Sequence, residues 1–548
     1  MFTSFNSLSG TVGKFKYYTY FNYKEGDGWR PNSNFNSRNF FAHIEYELSN
    51  RTSIEGEVTF FNYLAKQPGG LTDSQFLADP TFSNRDRNWF DVDWKVYSLR
   101  LDHKFTPQTR ASLQLFGLDA QRSALGFRTN RVSQPDISEE PRELLVDNFT
   151  NWGFEGRFLS GYTLFDKDAI LLLGSKYYHA TNNQQQGAGS NASDPDFTFA
   201  TAQFPNYERQ ARFEFPNRNL AFFGENVINL NNKLTLTPGF RFEYIKTASA
   251  GSFKNILLDL AGNVILDEDV QDNRTFERDF FLFGLGLSYK PSSSWEFYAN
   301  ASQNYRSVTF SDIRIINPSF LVDENITDEE GYTLDLGMRG KLDDFLSYDV
   351  GLFGLRYDRR LGEVLFTDVD NSVKRRRGNI GDAFIYGAEL FGDLSLKQLF
   401  FENSEEISLN FFANLAFTKS EYVNSEARGV EGNEVEFIPD INAKLGVNGG
   451  WKNVEIGLQY SYLGQQFSDA SNAPQDVNDN QRGIEGSIPA YGVLDFSAGY
   501  AYKNWKLDAG ITNVLNESYF TRRATGYPGP GIIPAEPRQF YTSLQFKW

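Results

Sequence analysis

The chain has 548 residues but contains no cysteine and only three histidines. Without thiols, disulfides, thiolate metal sites and cysteine nucleophiles are excluded. The three histidines, His43, His103 and His179, lie far apart in the sequence and do not have the spacing of a zinc site. We therefore predict that the protein holds no metal and no cofactor.

The sequence also lacks an excess of basic residues. Its 53 Lys and Arg are outnumbered by 70 Asp and Glu, which gives a formal net charge of -17. Since binding to nucleic acid needs a basic surface, we predict no nucleic-acid partner. No P-loop, dinucleotide fingerprint, HExxH or GxSxG motif occurs, so no enzymatic activity is predicted.

Long hydrophobic runs are missing as well. The longest clean apolar run, Ile170 to Leu173, is far shorter than the roughly 18 residues that a membrane helix needs. The first residues, Met1 to Ser4, have none of the features of a secretory signal. If the protein is exported, we expect that its signal has been removed or that the chain is a fragment of a longer protein, and we favour the fragment.

What the sequence has in abundance is aromatic residues in alternating patterns. Aromatic residues make up 16% of the chain, with 52 Phe and 28 Tyr. In the segment 97–105, apolar side chains alternate with Ser98, Arg100, Asp102 and Lys104. This period of two predicts β-strands with one apolar and one polar face. The same pattern recurs along the whole chain, near 234–244, 332–338, 407–417 and 454–462.

The polar face of these strands is too charged for a dry core. Burial of unpaired charges is costly, so these side chains need a water-filled interior. A closed barrel of about 16 to 22 strands provides such an interior, with its apolar face toward lipid. The residues expected to face the lumen include Arg100, Arg241, Glu243, Asp335 and Arg339.

We therefore predict an all-β fold, in which residues 1–548 form one large antiparallel transmembrane β-barrel of about 20 to 22 strands. Each strand is expected to have about 9 to 13 residues. Short periplasmic turns are expected to alternate with long extracellular loops. These loops are expected at about 65–93, 122–149, 181–218, 247–276, 305–330, 419–439, 464–488 and 513–536. The bacterial outer membrane is the predicted location.

The end of the chain shows the pattern most clearly. Phe540, Leu544, Phe546 and Trp548 share one face of a strand that ends on the last residue. We expect this strand to pair with the front of the chain, because a closed barrel leaves no edge exposed to lipid. By counting strands back from this end, we expect Phe2 to Asn6 to be the remnant of an inward-running strand.

These C-terminal residues resemble the end of TonB-dependent outer-membrane receptors. The shared features are the turn Asn513-Val514-Leu515-Asn516, a Gly/Pro-rich loop at Gly526 to Gly531, Pro537-Arg538 and the aromatic-ended strand. Val514 and Asn516 stand where the family usually has Phe and Asp. Further segments are similar to the receptors for ferric dicitrate: Tyr17 to Lys24, Gln67 to Thr72, Asn304-Tyr305-Arg306 and Asn379 to Asp382.

This resemblance implies an importer of an iron chelate, either ferric dicitrate or a siderophore. It also implies energy coupling through TonB, ExbB and ExbD, and contact with outer-membrane lipids and lipopolysaccharide. The family's N-terminal plug domain and TonB-contacting segment are not recognised in this sequence. We expect that they, the signal peptide and a first strand lie outside residues 1–548.

Arginines in the predicted outer loops are the candidate ligand-binding residues. A guanidinium group offers a fixed fork of donors to the carboxylates of an anionic chelate. Solvated loop charges and contacts with lipid phosphates are the alternatives. The candidates are Arg122, Arg128, Arg209, Arg212, Arg306, Arg314 and Arg377.

Two other functions stay open. The same barrel would suit a receptor for another nutrient, such as cobalamin or an oligosaccharide. A soluble all-β surface protein that binds a ligand is the alternative from a different structural class.

Overall fold

The alternating segments form strands in the computed structural model, which describes residues 1–259, 261, 263–309, 312, 320–367, 373–526 and 530–548. The strands in the first half of the chain are β1 Phe2–Val12, β2 Phe15–Gly26, β3 Phe35–Ser49, β4 Thr52–Lys66, β5 Trp89–Lys104, β6 Thr109–Gly126, β7 Glu143–Leu164, β8 Lys167–Ala188, β9 Ala211–Asn229, β10 Leu234–Leu258, β11 Val264–Gln271 and β12 Arg274–Ser292.

The second half continues in the same way. Its strands are β13 Trp295–Arg306, β14 Phe320–Val322, β15 Glu329–Leu342, β16 Leu346–Thr367, β17 Val373–Ser395, β18 Ile407–Asn424, β19 Ile441–Trp451, β20 Val454–Leu463, β21 Gln466–Phe467, β22 Ser487–Ile488, β23 Tyr491–Tyr502, β24 Trp505–Thr512, β25 Phe520–Ala524, β26 Gly531–Pro534 and β27 Gln539–Phe546. Two short helices interrupt them, α1 Asp73–Ala78 and α2 Leu396–Phe400.

One sheet of 23 strands contains almost all of this structure. Within it, β11 pairs only with the outer end of β10, and β14 pairs in parallel with β17. The other 21 strands follow one another as antiparallel neighbours from β1 to β27. The predicted all-β class and strand number are therefore confirmed. The described residues form this one large sheet and not the two stacked sheets of a soluble sandwich.

The sheet has an apolar outward face and a polar inner face. Along β12, exposed residues alternate strictly with less exposed ones. Phe281, Phe283 and Leu285 are 55%, 59% and 47% exposed, and Leu336 on β15 is 60% exposed. Such exposure of large apolar side chains is expected where lipid covers the surface. The charged side chains expected in the lumen have polar partners on the opposite face: Arg100 with Asp102, Arg241 with Glu243, Asp335 with Asn300, and Arg339 with Glu296.

The expected closure of the barrel by the last strand is wrong for the described residues. β1 pairs along its whole length with β2, and β27 pairs with β24, but β1 and β27 do not pair with each other. The number of strands explains this result. In a series of 21 strands that alternate in direction, the first and the last run in the same direction, so they cannot form an antiparallel ladder. β1 is also a strand of 11 residues, longer than the expected remnant.

Several strands are much longer than expected. β7 and β8 have 22 residues each, β17 has 23 and β10 has 25. A bilayer is crossed by about 9 to 11 residues of a tilted strand, so these strands continue beyond it. The additional length was not predicted from the sequence, because the alternation of apolar residues stops where the strand leaves the lipid. Backbone pairing needs no such pattern, and it continues through polar segments such as 182–186.

Connections of two kinds join the strands at the two ends of the barrel. Short turns such as 13–14, 50–51 and 165–166 lie at one end, which we call the inner rim. The other end is formed by the outer cap, made of the connections 67–88, 127–142, 189–210, 425–440 and 464–490 and the described parts of 307–328 and 513–538. In barrels of this kind the short turns face the periplasm and the long connections face outward.

The two helices lie at opposite ends of the barrel. α1 belongs to the outer cap and begins with a capping box, in which Thr72 and Gln75 satisfy each other's backbone N–H groups. α2 belongs to the connection 396–406 at the inner rim. No helix in the described part of the chain has the length and apolar character required to cross a bilayer.

Candidate functional site

The outer cap is a packed structure with its own core. Leu71, Phe76, Ile488, Phe520 and Ile532 form a buried cluster that joins three connections of the cap. The backbones of Leu71 and Ile532 exchange two hydrogen bonds of 2.8 Å. The connections near the mouth of the barrel are therefore fixed to one another.

A buried ion pair holds the same three connections together. Arg523 donates two hydrogen bonds, of 2.7 and 2.8 Å, to the carboxylate of Asp73, and both side chains are 0% exposed. Gln475 donates a further hydrogen bond of 2.8 Å to Asp73. The remaining donors of Arg523 reach the carbonyl oxygens of Gly483 and Ser487. This pair is satisfied by its neighbours and offers no free group to a ligand.

The first group of predicted arginines lies along β6 to β9. Arg122, on the inner face of β6, donates to Asp147 Oδ2 from Nε at 3.0 Å, and its side chain is 42% exposed. Gln184 donates to the other oxygen of Asp147 at 2.8 Å. The guanidinium group of Arg122 lies over the ring of Phe149, 5.7 Å from its centre. Arg122 is thus held in one orientation while part of it stays open to water.

Arg128 and Arg209 come from different connections and meet at a single carboxylate. Both donate to Glu143, whose side chain is 0% exposed. Burial alone would raise the pKa of Glu143, but the two guanidinium groups outweigh it and hold the pKa below its usual range. Tyr207 lies beside the pair, and the hydroxyl oxygen of Tyr207 accepts a hydrogen bond from Arg209 at 2.9 Å.

A cavity of about 460 Å³ opens next to this cluster. Phe127, Phe204 and Tyr207 give it aromatic walls, while Glu140 and Glu208 add carboxylates to its lining. The cavity therefore contains both signs of charge. It suits a ligand with aromatic or mixed character better than a small polyanion.

The second group of predicted arginines meets at Asp312. Arg306 donates to both oxygens of Asp312, at 2.9 and 3.2 Å, and Arg377 lies 3.4 Å from the same carboxylate. Arg377 also donates to Glu363 at 2.8 Å, and Arg375 lies 3.5 Å from Glu363. Arg306 and Arg377 remain 44% and 31% exposed. Three guanidinium groups here share two carboxylates, and a third carboxylate, that of Asp469, also attracts Arg375.

The two other predicted arginines are separate from these groups. Arg212 alternates along β9 with Phe213 and Phe215, which pack inward against Leu361 of the distant strand β16. Arg212 therefore points to the outside of the barrel. Arg314 lies outside the residues that the structure describes.

The carboxylates that hold these arginines were not found from the sequence. Asp147 faces Arg122 directly across the β6–β7 pair. We predicted a loop for the segment 122–149. If its two ends had been assigned to paired strands, the register of that pair would have shown the contact between Arg122 and Asp147. Glu143, Asp312 and Asp73 each have a partner at least 65 residues away in the chain, and no pattern in the sequence signals those contacts.

A comparison of the sequence with protein families gives one match over most of the chain. A family model described as TonB dependent receptor-like, beta-barrel matches residues 28–514. Among curated proteins, the rhizobactin receptor of Rhizobium meliloti strain 1021 is 22% identical over 321 residues. That alignment covers 55% of this chain but only 38% of the relative, well under two thirds of its length.

Solved structures resemble the chain over nearly its whole length. The ferric citrate transporter FecA in its unliganded form superimposes with a TM-score of 0.78 at 20% identity, covering 100% of this chain and 75% of that one. The ferric yersiniabactin uptake receptor FyuA from Yersinia pestis gives a TM-score of 0.74 at 14% identity, covering 99% and 77%. At such low identity, these similarities show the fold.

Proposed function

The chain belongs to the TonB-dependent receptor-like β-barrel family, and on that basis we propose that it takes up an iron chelate across the outer membrane. The cargo that we propose is ferric citrate or a siderophore. Membership of the family carries the proposal, since it is a family of outer-membrane receptors. No catalytic step is part of this function.

The choice of an iron chelate is supported by what the relatives are named for. The relatives described above are a rhizobactin receptor, a ferric citrate transporter and a ferric yersiniabactin receptor. Two of these names refer to ferric iron. A receptor for cobalamin or an oligosaccharide stays a possible alternative, and the binding experiment below includes both.

Within the barrel, we propose that Arg306 and Arg377 are the main residues that capture the anionic chelate. They are partly exposed, and Arg375 lies beside them as a third guanidinium group. Carboxylates hold them in fixed orientations, so little side-chain entropy is lost when a ligand binds. Arg122 is a further candidate because it is both oriented and partly open. Arg128 and Arg209 are paired with Glu143 and would contact only a cargo with aromatic groups, through the neighbouring cavity.

Transport needs further parts. We propose that TonB, which the name of the family contains, supplies the energy together with ExbB and ExbD. The outward apolar face is proposed to contact outer-membrane lipids, including lipopolysaccharide at the level of the outer cap.

Binding to the purified chain in detergent tests the proposal. Ferric citrate is titrated while the intrinsic tryptophan fluorescence is recorded, with iron-free citrate, cyanocobalamin and a maltooligosaccharide as comparison ligands. Saturable binding of the ferric chelate is expected. Each hydrogen bond to a charged group contributes about 1.5–3 kcal/mol, so Arg306→Ala should weaken binding roughly tenfold to a hundredfold.

Arg212→Ala is the matched control. It removes the same side chain from the outside of the barrel, so the affinity should stay unchanged. Equal affinity of the wild-type chain, Arg306→Ala and Arg377→Ala would contradict the assignment of the arginines. Saturable binding of cyanocobalamin or the oligosaccharide, without binding of ferric citrate or a ferric siderophore, would contradict the choice of an iron chelate.

A further inference from the structure

One connection at the inner rim differs from all the others. Between β17 and β18 the chain passes through residues 396–406, which include α2. The next longest turns on this rim, 105–108 and 230–233, have four residues each. A tight turn would be enough to join two antiparallel neighbours, so the additional residues are not needed to close the hairpin.

This connection presents a cluster of large apolar side chains. Leu399, Phe400 and Phe401 are consecutive and are 53%, 68% and 41% exposed. The described chain covers each of them only in part. Three adjacent apolar residues of this size at the end of a barrel indicate a surface that another phase or molecule covers.

The position of the cluster relative to the bilayer follows from the strands on either side. α2 starts directly after Ser395, the last residue of β17, with no spacer. Ile407, the first residue after the connection, pairs with Trp451, which is 57% exposed. Exposed tryptophans collect at the boundary between lipid and water. The apolar cluster therefore leaves the barrel at the depth of the inner-leaflet headgroups.

The lipid-facing surface of the barrel continues to this point. On β17, Phe384, Tyr386 and Leu390 are 39%, 47% and 39% exposed on the outward face. The cluster extends this apolar band beyond the end of the strand. Its charge also argues against an electrostatic contact, because the segment has one cation, Lys397, and three carboxylates, Glu402, Glu405 and Glu406.

From these observations we propose that residues 396–401 form an interfacial anchor. Leu399, Phe400 and Phe401 insert into the headgroup and acyl-chain boundary of the inner leaflet and help to fix the depth of the barrel in the membrane. The partner is the phospholipid surface, and the contact is apolar. The proposal is independent of the ligand that the receptor transports.

The absence of cysteine makes a direct test possible. Phe400→Cys introduces a single thiol, which is labelled with a nitroxide, and the full chain is reconstituted into vesicles of phosphatidylethanolamine and phosphatidylglycerol. Power saturation compares the access of oxygen, which concentrates in lipid, with that of a water-soluble nickel chelate. Asp344→Cys, in the exposed turn whose Phe345 carbonyl bonds to Ser395, is the matched control. Heat-modifiable migration on a gel confirms that both variants are folded.

We expect the oxygen-to-nickel accessibility ratio at position 400 to be several-fold higher than at position 344, and to remain so in high salt. Leu399→Cys should behave like Phe400→Cys. Equal ratios at positions 400 and 344 would overturn the proposal. An immobile label that neither reagent reaches would also overturn it, because a protein surface would then cover the cluster.

Discussion

We predict that the ion pair between Asp73 and Arg523 holds the outer cap together. It joins α1 to two other connections, and its partners are 450 residues apart in the chain. Asp73→Ala removes the carboxylate and leaves the guanidinium group of Arg523 charged and fully buried. We expect the cap to loosen while the barrel stays folded.

The size of the effect follows from the environment of the pair. Removing one partner of a buried ion pair costs about 3–5 kcal/mol, because the other charge stays buried without compensation. One factor of ten in an equilibrium corresponds to about 1.36 kcal/mol. The opening equilibrium of the cap should therefore increase by about two to three and a half orders of magnitude. Carbonyl contacts from Gly483 and Ser487 are already present in the wild-type chain and cannot replace the lost charge.

Hydrogen exchange read by mass spectrometry measures this opening. The probes are the amides of Leu71 and Ile532, which pair with each other beside the ion pair. Their exchange should be faster in Asp73→Ala, while the amides of β12 should be unaffected. The double variant Asp73→Ala with Arg523→Met, which removes both charges, should recover part of the protection.

Arg482→Ala is the control, because it removes a partly exposed ion pair in the same part of the cap. Arg482 and Glu485 lie 2.8 Å apart, but both are partly exposed, so the loss should not exceed about 1 kcal/mol. If Asp73→Ala changed the protection of Leu71 and Ile532 no more than Arg482→Ala does, the cap would not depend on the buried pair.

Two further predictions concern the cap. The pKa of Glu143 is held below its usual range. The stabilising contact of Glu143 with Arg128 should therefore be fully present above pH 4.5, the ordinary pKa of Glu, and should be lost as the pH falls through the lower pKa of the folded state. Proteolysis of the segment 127–142 across this pH range should show the opening, and Glu143→Gln should remove the pH dependence. Gly483 has a φ of +66°, and a Cβ there would lie 2.1 Å from the carbonyl oxygen of Leu71. Gly432 has a φ of +85° but open space around it, so Gly432→Ala is the control. Gly483→Ala should increase the exchange of the cap amides more than Gly432→Ala does. Equal effects of the two substitutions would show that only the backbone angle matters.

Much of the barrel could be predicted because lipid and water impose a simple rule on a strand. Side chains on a strand point alternately to its two faces, so a chain between lipid and a wet lumen alternates between apolar and polar residues. That rule correctly gave the strands, their approximate number and the short turns. It failed outside the bilayer, where β10 and β17 continue as paired strands without an apolar face.

The arginines that we propose as ligand contacts could be predicted only in part from the sequence. The sequence could place the arginines in the predicted outer loops, but it could not show which carboxylate each one meets. Arg128 and Arg209 share Glu143, and Arg306 and Arg377 share Asp312. Arg212, with the same chemistry, points outward because it lies on the other face of β9. Whether an arginine faces the lumen depends on strand register beyond the membrane, where hydrophobicity no longer reports it.

The sequence by itself determined the class of fold and the surroundings of the barrel, because period-two alternation is a local property that each strand carries alone. The tertiary structure decided how the outer cap is assembled, which charges are neutralised and where the two ends of the sheet lie. These features depend on contacts such as Asp73 with Arg523, between residues at opposite ends of the chain. Only the folded arrangement of the strands brings such residues together.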